Sequence, residues 1–472
     1  MIDIVFTTVP YTDTKLPMMA PAVLKSIAVK ASKTAVTEDL NVQLINYVRD
    51  HPHRDDILEF FKSGFAVTAV QQEVFDILYQ YAKQLLSHQP KIVSLSVFTY
   101  HCQIATKYLS LFIKELSPST RILIGGAGLV KTLIGSPIFA KRLVSSGLVD
   151  SYIRGDGETA LYDYLNSTQE TIDDNWKELD NSDLLELPTP DYEDYDFSVY
   201  ETDGIPILGS RGCVQKCTFC DIHSHWTKFS FRSGQHIFEE MLELCKKYGI
   251  YKFTFQDSLI NGNFKEYKAL MTLVANHNNN VEKEKRLIWS SFFILRKEKI
   301  FNEEQWKLTA EGGGVYLVIG IESFSDESRK HLGKNFTNED IEFALQMAKK
   351  YNIKFVLLYL IGYVTETEQD QLNAIKWLED HYEEYHDTVI INLGSSLGIT
   401  EGTPLRENFE ALKLVKVDDT DQGWRNPATG NTPKRRTEWY LQLQETVERL
   451  GYKQIINHDN RYILERMMRD HK

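Results

Sequence analysis

Three of the five cysteines, Cys213, Cys217 and Cys220, lie within eight residues in the spacing C-x3-C-x2-C. They follow the short apolar stretch IPIL at 205–208, which is typical of a buried strand. The chain must therefore fold so that a strand ends in a loop carrying three thiols together. Three thiolates can bind three irons of a four-iron cluster and leave the fourth iron open to another ligand.

Zinc is the main alternative ligand for these thiolates. A structural zinc site needs four ligands and usually pairs two C-x2-C units, but Cys102 and Cys245 belong to no such unit. His223 and His225 could complete a zinc site with the three cysteines, so zinc stays open on this evidence. A disulfide framework is disfavoured because the chain is long, has few cysteines and begins with a strand-like MIDIVF rather than a secretory signal.

The cysteine loop resembles the cluster motif of the radical S-adenosylmethionine (SAM) family, CxxxCx-aromatic-C, with Phe219 at the aromatic position. Phe219 could equally be a packing residue. The resemblance implies that the three cysteines bind a [4Fe–4S] cluster and that the amino and carboxylate groups of SAM chelate the open iron. It further implies that an electron from the cluster cleaves SAM to a 5′-deoxyadenosyl radical, with flavodoxin or ferredoxin as the expected electron donor.

The length of 472 residues exceeds one ordinary core, so we expect two or three domains. The net charge of −13 argues against broad nucleic-acid binding, although the run Lys434 to Arg436 could form a local basic patch. The strongest apolar run, 355–364, is too short to span a membrane and suits a buried strand. Free thiols and an oxygen-sensitive cluster both suit a reducing cytoplasm.

Residues 1–170 alternate strands with helices, which predicts a doubly wound, Rossmann-like α/β domain with a parallel sheet. Glycine-rich turns follow its last two strands, GGAG at 125–128 and GDGE at 155–158. Such glycines let a ligand approach the backbone, but tight turns explain them equally well. The predicted strands are 2–7, 42–47, 91–97, 121–124 and 149–153, and the predicted helices are 21–31, 74–87, 104–116 and 160–166.

These turns, together with IVSLSVFTYH at 92–101, are similar to the ligand loops of the cobalamin-binding domain that precedes some radical SAM domains. The D-x-H-x-x-G motif of other cobalamin proteins is absent, and the nearest match, Asp221 to His223, lies in the cluster region and lacks the glycine. His101 could ligate cobalt or simply pack. The resemblance assigns seven residues to cobalamin binding: Tyr100, His101, Gly125, Gly126, Gly128, Gly155 and Glu158.

Residues 171–204 are acidic and rich in turn residues, which predicts a linker whose tyrosines pack against either neighbouring domain. A second series of strand and helix units then predicts a partial (β/α)6 barrel over 205–405. Residues 406–472 are charged and predicted to be helical, with an amphipathic helix over 437–450. In the radical SAM family such tails often close the barrel mouth. The predicted barrel strands are 205–208, 251–255, 287–293, 315–319, 354–361 and 388–393.

Four polar residues follow barrel strands at the end where a barrel carries its chemistry: Asp257, Arg296, Glu322 and Ser323. Each alone could be a turn cap, a surface ion pair or a helix cap, but their shared place at strand ends favours a functional site. The segment GIES at 320–323 resembles the family motif that contacts SAM, which implies that Glu322 holds the ribose hydroxyls. Gln256, Asp257 and Ser258 occupy the place of the family's GGE segment, which holds the methionine amino group, although the GGE sequence itself is absent.

The combined resemblance predicts a cobalamin-dependent radical SAM methyltransferase that acts on an unactivated carbon of a small-molecule or peptide substrate. A radical SAM enzyme that performs a rearrangement or cyclisation, with or without cobalamin, remains an alternative. Methylthiolation is disfavoured because the N-terminal domain lacks the cysteines for an auxiliary cluster. A metal-binding protein or redox sensor without turnover is the alternative from another class.

Overall fold

The chain folds into two compact units, residues 1–206 and 207–472, each built on its own parallel sheet. The computed structural model describes residues 2–12, 16–64, 68–129, 135–167, 184, 187–202 and 204–455. Within these residues no helix is long and apolar enough to cross a membrane.

The first unit has a five-stranded parallel sheet in the order β2-β1-β3-β4-β5 within the described residues. Helices cover both faces of the sheet, which confirms the predicted doubly wound class. The elements of this unit are β1 (Ile2–Thr8), α1 (Met19–Lys30), β2 (Ala35–Asp39), α2 (Leu40–Val48), α3 (Arg54–Ser63), α4 (Thr68–Ser87), β3 (Pro90–Ser96), α5 (Cys102–Leu116), β4 (Arg121–Gly125), α6 (Pro137–Ser145), β5 (Ser151–Ile153) and α7 (Glu158–Asn166).

The strand order creates a ligand-binding position at the carboxyl ends of β1 and β3. These strands are neighbours, but the chain leaves β1 toward β2 on one side and leaves β3 toward β4 on the other. Ligands of doubly wound sheets bind in the crevice at such a switch point.

The prediction of a strand over 42–47 is wrong, because these residues lie in α2. The second strand is β2, which precedes them and pairs with β1. The side chain of Asp39 accepts a hydrogen bond from the backbone N–H of Val42 and so caps the helix. Leu40, Leu44 and Val48 are buried at intervals of four residues, which is helical spacing.

The described part of the predicted linker, residues 187–202, is packed into the first unit. Tyr192 is completely buried, and the hydroxyl of Tyr200 donates to the carboxylate of Asp39 over 2.7 Å. The ammonium group of Lys25 lies 2.7 Å from the carboxylate of Asp194. The predicted turn residues at 173–174 and 180–183 lie outside the described residues.

The second unit has a seven-stranded parallel sheet in the order β16-β13-β12-β11-β10-β9-β6 within the described residues, so the predicted partial barrel is present with one added edge strand. Its elements are β6 (Ile205–Ile207), β7 (Ser210–Arg211), α8 (Ile222–His225), β8 (Ser230–Phe231), α9 (Gly234–Tyr248), β9 (Lys252–Phe255), α10 (Phe264–Asn278), β10 (Ile288–Phe292), α11 (Glu303–Glu311), β11 (Gly314–Glu322), α12 (Asp326–Leu332), α13 (Asn338–Lys350), β12 (Lys354–Ile361), α14 (Glu368–Tyr385), β13 (Val389–Ser396), α15 (Pro404–Glu407), β14 (Val415–Lys416), β15 (Trp424–Arg425), α16 (Pro433–Leu450) and β16 (Lys453–Gln454).

Side chains alternate between the outer helices and the lumen of this partial barrel. On the outer face, Trp289 packs edge-on against Phe255 and against Tyr267 of α10. On the lumen face, one apolar cluster joins Val318 of β11 to its register partner Val356 of β12 and contains these buried residues: Tyr316, Val318, Val356, Ile390 and Ile455. On β11, β12 and β13 the even-numbered residues of this cluster therefore face the lumen, whereas beside β16 the odd-numbered Ile455 does, because Lys453 is the register partner of Ile390.

Beyond the end of α15, the region after the barrel is helical only over α16 within the described residues, because a small antiparallel pair, β14 and β15, precedes α16. The possible basic patch at 434–436 is not present as such. Arg436 is buried, and its guanidinium lies 3.9 Å from the ring centroid of Trp424 and donates to Asn431. Burial lowers the pKa of Arg436 to about 10.

Candidate functional site

The three clustered cysteines lie on the loop between β7 and α8. Cys217 is buried, whereas Cys213 and Cys220 are partly exposed. Three segments fix this loop through Thr218. Its N–H donates to the carbonyl of Leu332 over 3.0 Å, its carbonyl accepts from the N–H of Leu405 over 2.9 Å, and its hydroxyl lies 2.7 Å from that of Tyr363. The thiols are thus held rigidly near the carboxyl ends of β11 and β12.

A buried carboxylate supports the start of the same loop. Asp257 is 2% exposed and accepts a hydrogen bond of 2.7 Å from the backbone N–H of Gly209. Burial raises the pKa of Asp257 to about 7. Beside it, the buried Arg232 pairs with Glu240 over 2.7 Å and donates to the carbonyl of Leu208. Asp257 therefore holds the cysteine loop in place.

The environment of the thiols suits a bound metal cluster. Burial raises the pKa of all three thiols, that of Cys220 to about 12, while the charge of Lys334 acts in the opposite direction on Cys213 and Cys217. Metal is ligated by the thiolate and not by the thiol, so binding of a cluster here would release these protons.

A [4Fe–4S] cluster and a single zinc ion place different demands on the three thiols. Among the described residues, no group of three or more His, Cys, Asp or Glu side chains could hold one metal ion. In a four-iron cluster each thiolate binds a different iron, so the sulfurs need not surround a single point. His223, a possible fourth zinc ligand, hydrogen-bonds instead with the carbonyl of Gln215 over 2.7 Å. The three cysteines therefore fit a [4Fe–4S] cluster.

Glu322 lies at the carboxyl end of β11 in a left-handed conformation with φ of 61°, where the register between β11 and β12 shifts. A Cβ added at Gly320 would lie 2.1 Å from a carboxylate oxygen of Glu322 and 2.8 Å from the ammonium nitrogen of Lys334. Glycine at 320 therefore makes room for this carboxylate and ammonium at the lumen. Backbone strain of this kind is concentrated at functional sites.

Lys334 is a site residue that the sequence did not reveal. Its ammonium group lies 3.1 Å from the carboxylate of Glu322 and donates to the carbonyl of Gly320. Burial lowers its pKa, but the carboxylate of Glu322, together with Cys217 in its thiolate form, outweighs this and raises it. The one available signal was Gly333, a left-handed helix end that places the next residue beside the cysteine loop.

Other predicted cofactor residues of the barrel have structural partners. The hydroxyl of Ser323 is buried and donates to Glu366 over 2.5 Å. The guanidinium of Arg296 donates to the carbonyl of Asn261 over 2.8 Å. Phe219 packs against the apolar cluster of Leu332, Tyr363 and Leu405. Gln256 and Ser258 are partly exposed at the end of β9. The cofactor roles of these residues stay predictions.

In the first unit, the predicted glycines shape the edge near the switch point. A Cβ at Gly126, with φ of +114°, would lie 2.5 Å from the carbonyl oxygen of Val97, and one at Gly128 would lie 2.9 Å from it. These two glycines therefore allow the turn after β4 to pack on the segment after β3. A Cβ at Gly125 would meet its nearest neighbour, the carbonyl oxygen of Ile153, only at 3.7 Å. Gly155, with φ of +89°, has nothing within 4 Å of its Cβ position.

Aromatic side chains lie beside these turns. The ring centroid of His101 lies 4.0 Å from the ring centroid of Tyr100 and 6.5 Å from that of Tyr11, which follows β1. Tyr100 is half exposed, and burial lowers the pKa of His101. Glu158 is buried at the start of α7. These aromatic groups adjoin the crevice between β1 and β3, while their role toward cobalamin stays a prediction.

The comparisons with known proteins agree with this geometry. Residues 207–378 match the Radical SAM superfamily, so the second unit contains a radical SAM domain. The match covers β9 to β12, all three clustered cysteines and the Glu322–Lys334 pair.

Two solved structures are similar in fold over most of the chain. The radical SAM methyltransferase TsrM of Kitasatospora setae, solved with tryptophan and a SAM analogue, matches 93% of this chain and 82% of its own with a TM-score of 0.64 at 15% identity. The cobalamin-dependent SAM radical enzyme OxsB matches 95% of this chain and 66% of its own with a TM-score of 0.67 at 16% identity. The chain therefore has the fold of cobalamin-dependent radical SAM enzymes.

Two curated relatives are similar in sequence. An uncharacterized methyltransferase of Pyrococcus horikoshii is 26% identical over 249 residues, which is 48% of this chain and 52% of the relative. The anaerobic magnesium-protoporphyrin IX monomethyl ester cyclase of Synechocystis is 21% identical over 57% of this chain and 55% of the relative. The chain thus spans about half the length of these relatives.

Proposed function

We propose that this protein is a cobalamin-dependent radical SAM enzyme that methylates an unactivated carbon. The observation that carries the proposal is the cysteine loop, which is anchored beside the Glu322–Lys334 pair within a radical SAM domain. When bound, a [4Fe–4S] cluster supplies the electron that cleaves SAM, and cobalamin supplies a methyl carrier.

The residues of the chain have separate tasks in this proposal. Cys213, Cys217 and Cys220 hold the cluster. The carboxylate of Glu322 accepts hydrogen bonds from the ribose hydroxyls of SAM, which suits a group with two acceptor oxygens. Lys334 orients that carboxylate through their 3.1 Å contact. The apolar lumen below excludes water from the reacting carbon.

Cobalamin is assigned to the first unit on its sheet order and its glycine turns. The crevice between the ends of β1 and β3 is where doubly wound sheets bind ligands. The likeness in fold to TsrM and OxsB supports the same assignment, since both were solved with cobalamin bound. Substrate and electron donor are proposed by class only: a small molecule or peptide, and a one-electron carrier such as flavodoxin or ferredoxin in a reducing cytoplasm.

A cyclisation or rearrangement is the second candidate, because one relative in sequence is named a cyclase. Two other relatives are named methylthiotransferases. The first unit contains one cysteine, Cys102, which is too few to hold an auxiliary cluster, so methylthiolation is disfavoured.

Anaerobic reconstitution with iron, sulfide and cobalamin tests the proposal. Wild type and Cys245→Ala should bind about four irons per chain, show a cobalamin spectrum and release deoxyadenosine from SAM under reduction. Cys245 is the control because it is a buried thiol on α9, outside the cysteine loop. Cys217→Ala should lose the cluster and SAM cleavage while keeping cobalamin. Zinc in the loop, or no deoxyadenosine from loaded wild type, would refute the proposal.

A further inference from the structure

The lumen of the partial barrel contains a buried hydrogen-bond donor without a partner. The side chain of Asn392, on β13, is 2% exposed, and its Nδ2 group has no hydrogen-bond partner among the described residues. Leaving such a group unpaired in a protein interior costs about 1–3 kcal/mol. A buried polar group of this kind requires an explanation such as a bound ligand.

The register of the sheet places this amide toward the lumen. Ile390, two residues earlier on the same strand, belongs to the apolar cluster of the lumen. Ile391 and Leu393, in contrast, line the outer face with Leu378 of α14 and Leu443 of α16. Since successive side chains of a strand point to opposite faces, Asn392 faces the lumen with Ile390.

The same level of the lumen carries the SAM-binding candidates. Asn392 is the register partner of Leu358, and Leu358 is the register partner of Gly320. The carboxylate of Glu322 and the ammonium of Lys334 fill the space beside Gly320. Two strand spacings, about 10 Å, separate Gly320 from Asn392, which leaves room for a second molecule next to SAM.

At the level of the amide the lumen walls are apolar and open, whereas the buried hydroxyls of Thr254 and Ser290 lie in register with Tyr316, further toward the amino-terminal side. Phe292 and Leu358 pack against the lumen cluster but are only partly buried, as is Leu360 two residues further along β12. Gly394 follows Asn392 on the same face and has no side chain that could cover it. The charges of Glu322 and Lys334 compensate each other. Neither charge of this pair is left unpaired for a charged ligand group, whereas an uncharged acceptor would satisfy the amide.

We infer that Asn392 recognises the substrate of the proposed reaction, and that this substrate presents an uncharged carbonyl acceptor on an apolar body. The inference rests on the proposed function for the presence of SAM beside it. The amide donates from Nδ2 to the carbonyl oxygen, while the apolar walls bind the rest of the molecule. Asn392 is thus a positioning residue that sets which carbon faces SAM.

Matched probes that differ in one carbonyl test this assignment. Acetophenone and ethylbenzene share a phenyl ring and a two-carbon chain, and differ in that a carbonyl in the first stands where the second has a methylene. The full-length chain, labelled with 15N-asparagine and reconstituted with iron and sulfide, is titrated with each probe by NMR without reductant. The Asn392 side-chain resonance is assigned from its loss in Asn392→Leu.

Acetophenone should shift the Asn392 resonance and bind roughly two- to tenfold more tightly than ethylbenzene, which is the range expected of one hydrogen bond. The Asn278 amide is the internal control, because it is buried on α10 and already donates to the carbonyl of Leu287 over 2.9 Å. Its resonance should not move. In Asn392→Leu the two probes should bind equally.

A wild type that binds neither probe, or that shows no carbonyl preference, would overturn the inference. A preference that persists in Asn392→Leu would do the same. Because the titration needs no turnover, its outcome is separate from the release of deoxyadenosine. Failure of SAM cleavage would refute the proposed function and leave the carbonyl preference standing. SAM cleavage without a carbonyl preference would refute the inference and leave the proposed function standing.

Discussion

Removing one hydroxyl group, in Tyr363→Phe, should loosen the cysteine loop without disturbing the core around it. The ring of Tyr363 is completely buried in the apolar cluster that includes Leu332 and Leu405, and phenylalanine keeps those contacts. The hydroxyl lies 2.7 Å from the hydroxyl of Thr218 and 2.7 Å from Nδ1 of His331. The substitution therefore removes the side-chain link from Thr218 to the segment after β12, and with it the indirect link to His331 of α12, while the backbone bonds of Thr218 to Leu332 and Leu405 remain.

The magnitude follows from these two hydrogen bonds. A hydrogen bond contributes about 0.5–1.5 kcal/mol net, and the bond to His331 belongs at the low end because that residue is exposed. The loop should therefore lose about 1–2 kcal/mol of local stability. If iron leaves through local opening of the loop, its release to a chelator should be roughly 5- to 30-fold faster.

The assay is the loss of cluster absorbance in the presence of an iron chelator under argon. Tyr267→Phe is the matched control, because its buried hydroxyl lies 2.7 Å from that of Thr309, on helices that do not contribute to the cysteine loop. The control should release iron at the wild-type rate. Equal rates in Tyr363→Phe and wild type, or equal acceleration in both variants, would refute the reasoning.

Three further predictions concern the second unit, the SAM-side ion pair and the first unit. Burial raises the pKa of Glu366 to about 7, above its value in the unfolded chain. The preference of the folded protein for protonated Glu366 therefore adds fully to the unfolding free energy below about pH 4, and this stabilisation is lost as the pH rises through 7. Urea midpoints of the second unit should therefore fall from pH 5 to 8 more steeply in wild type than in Glu366→Gln, and parallel curves would contradict this. Lys334→Met leaves the Glu322 carboxylate, 12% exposed, without its ion-pair partner, and should lower the unfolding free energy by about 2–3 kcal/mol. In the double variant Lys334→Met, Glu322→Gln, a denaturant titration should show part of that unfolding free energy restored. Losses that simply add in the double variant would argue against the ion pair. Gly126→Ala should destabilise the first unit by about 1–3 kcal/mol, because its Cβ would meet the carbonyl oxygen of Val97 at 2.5 Å. Gly155→Ala, with a positive φ but open space, should lower the thermal midpoint less, and the opposite ranking would contradict the packing argument.

The sequence was sufficient for the order of strands and helices where apolar runs were long and bounded by turns. The strands at 354–361 and 121–124 were predicted within one residue of their observed bounds. The second strand was not found, because its observed residues, Ala35 to Asp39, include polar side chains, whereas the apolar residues that follow belong to α2. Hydrophobic pattern alone cannot separate a short edge strand from the helix that it precedes.

The candidate site was predictable only where chemistry has a local signature. Three cysteines in one loop form such a signature. Lys334 reaches Glu322 from a separate loop, and Asn392 reaches the lumen through the register of three strands, so neither relation is present in local spacing. The cofactor role of Asp257 stays a prediction, and its observed contact with the backbone of Gly209 joins two strand ends, which the sequence does not encode locally.

The two-residue strand β16 gives the closing segment of the second unit an unexpected importance. Its pairing with β13 brings Ile455 into the apolar cluster at the amino-terminal side of the lumen. That buried side chain packs at the amino-terminal end of the partial barrel. In the proposed reaction, the shielding of a carbon radical from solvent would depend on a residue more than two hundred positions from the cysteines. Ile455→Ala should therefore raise the fraction of SAM cleavage that yields no product, measured as deoxyadenosine per product, more than it lowers the stability of the fold.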